Sequence, residues 1–148
     1  MGIFTKRRYL ENFDINDGEI RLEIDRSAAR QFAFVIRRMA DDANVGYCDL
    51  RLGHSISLYY YGNIGYHVYP EYRGNNYAYK ACLLLFRLAR EMGMDYLLIT
   101  ASPDNLASVR TCEKLEGTFL ECADVPIWHP LFRNQEYLKN IYRYELRR

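Results

Sequence analysis

Along the first half of the chain apolar residues alternate with polar ones, and along the second half they recur at intervals of three and four. The change of period predicts strands followed by helices. Ile20 to Ile24 (IRLEI) alternates apolar and charged residues, Phe32 to Ile36 is aromatic and β-branched, and Val45 to Leu52 alternates again. Met39 to Asn44 reads as a polar hairpin loop between the last two, and Leu10 to Glu19 (LENFDINDGE) as turn. Asn63 to Tyr69 (NIGYHVY) has the character of a central strand, with Gly65 as a kink or bulge. In Tyr77 to Met92, Ala81, Leu84, Leu85 and Leu88 fall on one helical face while Lys80, Arg87 and Arg90 lie elsewhere on the wheel. Gly93 ends that helix, Tyr96 to Thr100 (YLLIT) is a short buried strand, and Ser102 to Asn105 is a cap-rich turn into a second helix ending near Gly117. Thr118 to Asp124 and Asn140 to Leu146 read as closing strands around a long aromatic loop, Pro126 to Glu136.

A meander followed by strand, helix, strand, helix and two strands implies an α/β (α+β) fold. The expected architecture is a mixed, mostly antiparallel sheet of six or seven strands with helices packed on it. Only residues 26–31 separate the first two strands, so the N-terminal helical region is reduced. With 148 residues, 49% of them hydrophobic, the chain has the length and apolar content of one compact domain over residues 1–148. Twenty basic against nineteen acidic residues leave a net charge of +1, which gives no general pull toward nucleic acid or an anionic membrane. The N-terminal MGIFTKRRYL lacks the apolar core of a signal peptide, and no apolar run is long enough to span a bilayer. Cys48, Cys82, Cys112 and Cys122 are irregularly spaced, without the spacing of a zinc site, so four reduced thiols in a cytoplasmic protein are expected. The partner expected is a small molecule or a protein, and exposed aromatic loops leave room for a homodimer.

The most informative stretch is Arg73-Gly74-Asn75-Asn76-Tyr77-Ala78, which joins a strand to a helix. A helix start exposes unpaired N–H groups and a partial positive charge, so small or left-handed residues there let the backbone wrap an anion such as a pyrophosphate. A Gly-Asn-Asn turn also joins strand to helix without any ligand. The stretch is neither the phosphate-binding G-x-x-x-x-G-K-[ST] loop nor the dinucleotide G-x-G-x-x-G fingerprint.

This stretch resembles the acetyl-CoA signature Q/R-x-x-G-x-G/A of the GCN5-related N-acetyltransferase (GNAT) family, with Asn76 in place of a glycine. Pro103 to Arg110 (PDNLASVR), ahead of Glu113 to Leu115, resembles the family's second signature, D-x-N-x-x-S-x-R. The resemblance covers Val45 to Asp124. It implies an acetyl-CoA-dependent N-acetyltransferase in which a primary amine of a small molecule or protein attacks the thioester directly. A non-catalytic acyl-CoA-binding sensor is the alternative. By resemblance, backbone N–H groups of Gly74, Asn76, Tyr77 and Ala78 meet the pyrophosphate of coenzyme A, with Arg73 and Asn75 in the same loop. The strand at His67 and Val68 would offer backbone groups to the pantetheine arm, the Val68 N–H serving the oxyanion, and Gly65 would help splay that strand from its neighbour. Asn105 would hydrogen-bond the arm, or else cap its helix. Many relatives place an acidic tyrosine where this chain has Cys112, so Cys112 is the candidate acid, or core filler. Glu71 and His67 are candidate bases, with His54 and His129 as further loop contributors. Tyr59 to Tyr61 would line an acceptor pocket or pack at a sheet edge.

Overall fold

A computed structural model describes residues 15–147. Four strands come first: β1 (Ile20–Ala28), β2 (Gln31–Arg38), β3 (Asn44–Arg51) and, after helix α1 (Ile56–Tyr61), β4 (Ile64–Val68). A 3-10 turn at Pro70–Tyr72 leads into α2 (Tyr77–Glu91), followed by β5 (Tyr96–Ala101), α3 (Leu106–Lys114), β6 (Thr118–Asp124), α4 (Pro130–Arg133) and β7 (Leu138–Glu145). The part of the N-terminal turn reading that falls on residues 10–14 lies outside the described residues. Residues Ala29 and Arg30 alone join β1 to β2, which leaves no helix between them.

Alternation sets which side chains are buried. Phe32, Phe34, Ile36, Cys48, Leu50 and Ile64 point to one face of the four-stranded sheet and are at most 3% exposed. α2 lies across this face. Its apolar stripe, Ala81, Leu84, Leu85 and Leu88, is buried as the periodicity demands, and Phe86 and Ala89 go with it. Each buried leucine or phenylalanine contributes roughly 1.5–3 kcal/mol, so this stripe alone fixes the helix on the sheet. The same core continues into Leu97 and Ile99 of β5 and Tyr142 and Tyr144 of β7.

The expected single mixed sheet is divided in two. β1-β2-β3-β4 and β5-β7-β6 are separate, wholly antiparallel sheets. They meet at Asn63, which is 0% exposed. Its N–H donates to the Leu98 carbonyl at 2.7 Å, and its Oδ1 accepts the Leu98 N–H at 2.9 Å. Its Nδ2 donates to the carbonyls of Arg51 and Gly53 at 2.8 and 2.7 Å. Where a second ladder bond between β4 and β5 would form, the side-chain amide takes the Leu98 N–H, and the two strands diverge beyond it.

Two local expectations are corrected. β3 and β4 pair without a shift from Gly46↔Val68 to Leu50↔Ile64, so Gly65 is no bulge. A Cβ on Gly65 would meet Asp49 Oδ1 at 2.5 Å and Arg51 Nη2 at 2.8 Å; the glycine makes room for that ion pair. Tyr59, Tyr60 and Tyr61 are not at a sheet edge but in α1, whose N-cap Ser55 accepts the Leu58 N–H at 3.1 Å. Tyr59 and Tyr60 pack with Tyr96 on the small cluster Leu98, Ala123 and Ile141, on the face of the second sheet turned away from the main core.

Candidate active site

The divergence of β4 from β5 opens a groove of about 450 Å3 between the end of β4, the start of α2 and the first turns of α3. Of the expected ligand-binding residues, His67, Val68, Arg73, Gly74, Asn76, Tyr77, Ala78 and Asn105 line it, and Asn75 does not. Arg110 and Lys114 also line it, making three cations with Arg73, and no carboxylate does. The field inside therefore favours an anion.

Local chain geometry builds the anion end. Gly74 has φ +90° and Asn76 φ +61°, ψ +22°, so both adopt the left-handed conformation the turn requires. The Asn76 side chain makes no capping hydrogen bond; its Oδ1 accepts instead from Lys114 Nζ at 3.0 Å. Asn75 Nδ2 donates to the Tyr72 carbonyl at 2.9 Å and Arg73 Nε to the Val68 carbonyl at 3.0 Å, tying the loop to the strand. The first helical acceptor in use is the Asn76 carbonyl, which takes the Lys80 N–H. The N–H groups of residues 74–79 find no acceptor among the described residues. The Tyr77 ring is 5% exposed and turns into the core, leaving only its backbone for the groove.

Ladder parity decides which backbone groups of β4 face the groove. Arg51 N–H donates to Asn63 and Tyr69 N–H to Val45, so residues 63, 65, 67 and 69 bond to β3. Tyr66 and Val68 therefore direct their N–H and C=O to the open edge. This corrects the expectation for His67, whose backbone is committed to β3; Tyr66 takes its place beside Val68. Side chains alternate the other way. Tyr66 and Val68 pack toward the core, and the His67 ring stands on the opposite, outer face with Tyr47 and Tyr69, at centroid distances of 5.3 and 5.8 Å.

The titratable candidates are scattered. Cys112 is 0% exposed and does not line the groove, and burial pushes its thiol up to about 11. It sits in the core, where the Tyr144 hydroxyl donates to its carbonyl at 2.7 Å. Glu71 is exposed in the 3-10 turn and does not line the groove either. His129 is 0% exposed: its Nδ1 accepts the Leu131 N–H at 3.1 Å and its Nε2 lies 3.0 Å from the Ser57 carbonyl. Held at both ring nitrogens, His129 is a structural pin between α4 and α1. His54 stacks on Tyr96 at 4.0 Å, away from the groove, and burial lowers its pKa. Asn105 is the N-cap of α3, its Oδ1 accepting the Ser108 N–H at 3.2 Å, and it lines the groove at the same time.

Three hydroxyls that the sequence reading passed over meet inside the groove. Tyr66 and Ser108 share a hydrogen bond of 2.9 Å, with Thr111 beside them. Burial pushes the Tyr66 hydroxyl up to about 12, so it holds its proton at neutral pH. Strand alternation from Val68 and the serine of the N-x-x-S segment are the signals that would have found this pair.

A family model described as an acetyltransferase (GNAT) domain matches residues 5–118. The chain belongs to the GNAT acetyltransferase family. Solved structures agree in fold. A GNAT-family acetyltransferase from Bacillus anthracis is 21% identical over 77% of this chain and 66% of its own, with a TM-score of 0.60. A Vibrio cholerae structure assigned as a ribosomal-protein-serine acetyltransferase is 12% identical over 90% and 98%, at 0.70. The microcin C7 self-immunity acetyltransferase MccE, in complex with acetyl-CoA and AMP, is 19% identical over 78% and 61%, at 0.58. The chain thus spans less than two thirds of the length of the first and third of these. No match was found among curated protein sequences.

Proposed function

We propose that this chain is a single-domain, acetyl-CoA-dependent N-acetyltransferase acting on a primary amine of a small molecule or protein. The observation that carries the proposal is the set of N–H groups at Gly74 and at Asn76, Tyr77, Ala78 and Tyr79, without acceptors among the described residues and set in a groove with three cations and no carboxylate. These residues fit the diphosphate of coenzyme A: a helix N-terminus supplies partial positive charge, and space stands open where a Gly74 side chain would begin. Bound acetyl-CoA would supply an activated acetyl thioester.

The chain's own groups divide the remaining work. Arg73, Arg110 and Lys114 add charge at the anion end, and the open edge of Tyr66 and Val68 holds an extended arm by strand-like hydrogen bonds. The Val68 N–H is the oxyanion donor. Tyr66, protonated and hydrogen-bonded to Ser108, is the proton donor within the groove. His67, on the outer face of the same strand, is the proton acceptor for an amine arriving from that side. Cys112 and Glu71 carry no part of this scheme. We place the protein in the cytoplasm, where its four free cysteines stay reduced; no helix among the described residues is long and apolar enough to cross a membrane.

The test is calorimetric titration with coenzyme A, followed by release of free thiol from acetyl-CoA across a panel of amines. Micromolar binding and amine-dependent thiol release are expected. Absence of coenzyme A binding would overturn the reading, and binding without thiol release from any amine would leave the fold but remove the activity.

A further inference from the structure

A second cavity, of about 830 Å3, lies between the β1–β2 turn and α1 and shares no residue with the groove. Its polar lining is Arg30, Gln31, Arg51, His54, Ser55 and Ser57, and it contains no aspartate or glutamate. Arg51 is already committed: Nε donates to Asp49 at 2.8 Å and Nη1 to the carbonyls of Tyr61 and Gly62, both at 3.1 Å. Arg30 is different. Its guanidinium has no hydrogen-bond or ion-pair partner among the described residues. An unpaired, planar guanidinium that shares an acid-free cavity with two serines matches a carboxylate. One uncompensated positive charge calls for one negative charge, which favours a carboxylate over a phosphate dianion.

The cavity is placed to serve the groove. Residues 47, 49 and 51 of β3 point away from the core residues Cys48 and Leu50, so Arg51 and Asp49 stand on the outer face, the face that carries His67. Arg51 is level with Asn63, where the two sheets meet. Gly65, opposite Asp49, is two residues or roughly 7 Å further along β4, and Tyr66 about 10 Å. The outer face between Arg30 and the opening carries the Asp49–Arg51 ion pair, which fills the space left at Gly65.

On the reading of the groove as an acetyl-transfer site, we propose that this cavity seats a carboxylate of the acceptor. The acceptor is then an amine whose nitrogen lies at least about 7 Å from its own carboxylate, since Arg30 Nη2 sits against Gly53, beyond Arg51; ε-aminocaproate and the side chain of a free lysine meet that minimum. Arg30 is the residue that selects it.

Calorimetric titration of the protein, without and with saturating coenzyme A, by ε-aminocaproate, hexylamine and β-alanine tests this. ε-Aminocaproate is expected to bind at least about tenfold tighter than hexylamine, and β-alanine, too short to meet that minimum, no tighter than hexylamine. Arg30 is exposed, so Arg30→Ala folds normally; it should weaken ε-aminocaproate about tenfold, and Arg30→Glu should abolish the preference over hexylamine. Equal binding of ε-aminocaproate and hexylamine, or a preference that survives Arg30→Glu, would overturn the proposal. Coenzyme A titrated into the same samples reports on the groove alone, so loss of that binding condemns the groove while the titrations made without it still decide the cavity.

Discussion

Two helices begin on the rim of one groove, each preceded by an asparagine, and they begin differently. Asn105 ahead of α3 has φ −85°, and its side chain accepts the Ser108 N–H. Asn76 ahead of α2 is left-handed, and its side chain is drawn off to Lys114. A cap satisfies one of the donors of the first turn from within the chain. A left-handed asparagine leaves them pointing outward with their partial charge intact. The same residue type thus closes one helix start and opens the other, and backbone conformation decides which. The open start is the one flanked by Gly74 and Arg73.

The sharpest way to break this comparison is to put a negative charge into the open start. Ala78 lines the groove and is only partly buried, so Ala78→Asp should fold while placing a carboxylate against the expected diphosphate. Coenzyme A affinity should fall at least about a hundredfold, from charge repulsion and loss of the N–H cradle, with a melting temperature near that of the parent. Unchanged affinity, measured by calorimetry, would mean that the amides serve no anion.

A smaller effect separates binding from chemistry. Tyr66→Phe removes the hydroxyl shared with Ser108 and keeps the ring's packing. If that hydroxyl is the proton donor, kcat should drop about 10–100-fold while coenzyme A affinity stays within about twofold. Equal loss of both would assign Tyr66 to shaping the groove. Neutral-pH assays are the right window, because burial keeps Tyr66 protonated until about pH 12.

The two asparagines themselves give the next test, in stability. Asn105→Ala removes a cap and should cost about 1 kcal/mol, a fall of roughly 3 °C in melting temperature. Asn76→Gly removes no cap and relieves a left-handed side-chain conformation, so stability should hold within about 0.5 kcal/mol. The reverse order would show that α2 depends on its asparagine as a cap.

What could be read beforehand follows the strength of local periodicity. α2 carries an apolar stripe along 15 residues, and the strands keep a period of two, so both were visible in the sequence together with the turn that joins them. α1 has six residues and none of them buried, so it shows no stripe, and its tyrosines read equally well as strand. The division into two sheets rests on one side chain, Asn63, whose bonds to Leu98, Arg51 and Gly53 join residues up to 35 positions apart. Such long-range satisfaction leaves no local pattern. Of the site, the anion loop was legible because its conformational demands fall on consecutive residues. Tyr66 and Ser108 were not, because they meet across 42 positions, and ladder parity, which separates Tyr66 from His67, depends on register with β3.

Cys112 carries the smallest expected effect on turnover and the clearest sign in stability. A family position that elsewhere holds an acidic tyrosine here holds a thiol buried against the core and raised from 9.0 to about 11 by desolvation. Between those two values the folded chain keeps a proton that the unfolded chain gives up. Stability is therefore full below pH 9 and declines as pH rises toward 11, by up to about 3 kcal/mol from this group. Cys112→Ala should cost about 1 kcal/mol at neutral pH, leave kcat within about twofold, and flatten the decline of urea-unfolding stability between pH 9 and 10.5. A fall in kcat with the alkaline slope unchanged would return the thiol to the chemistry. A flattened slope with turnover intact fixes it as part of the core, and leaves the proton for the departing sulfur to Tyr66.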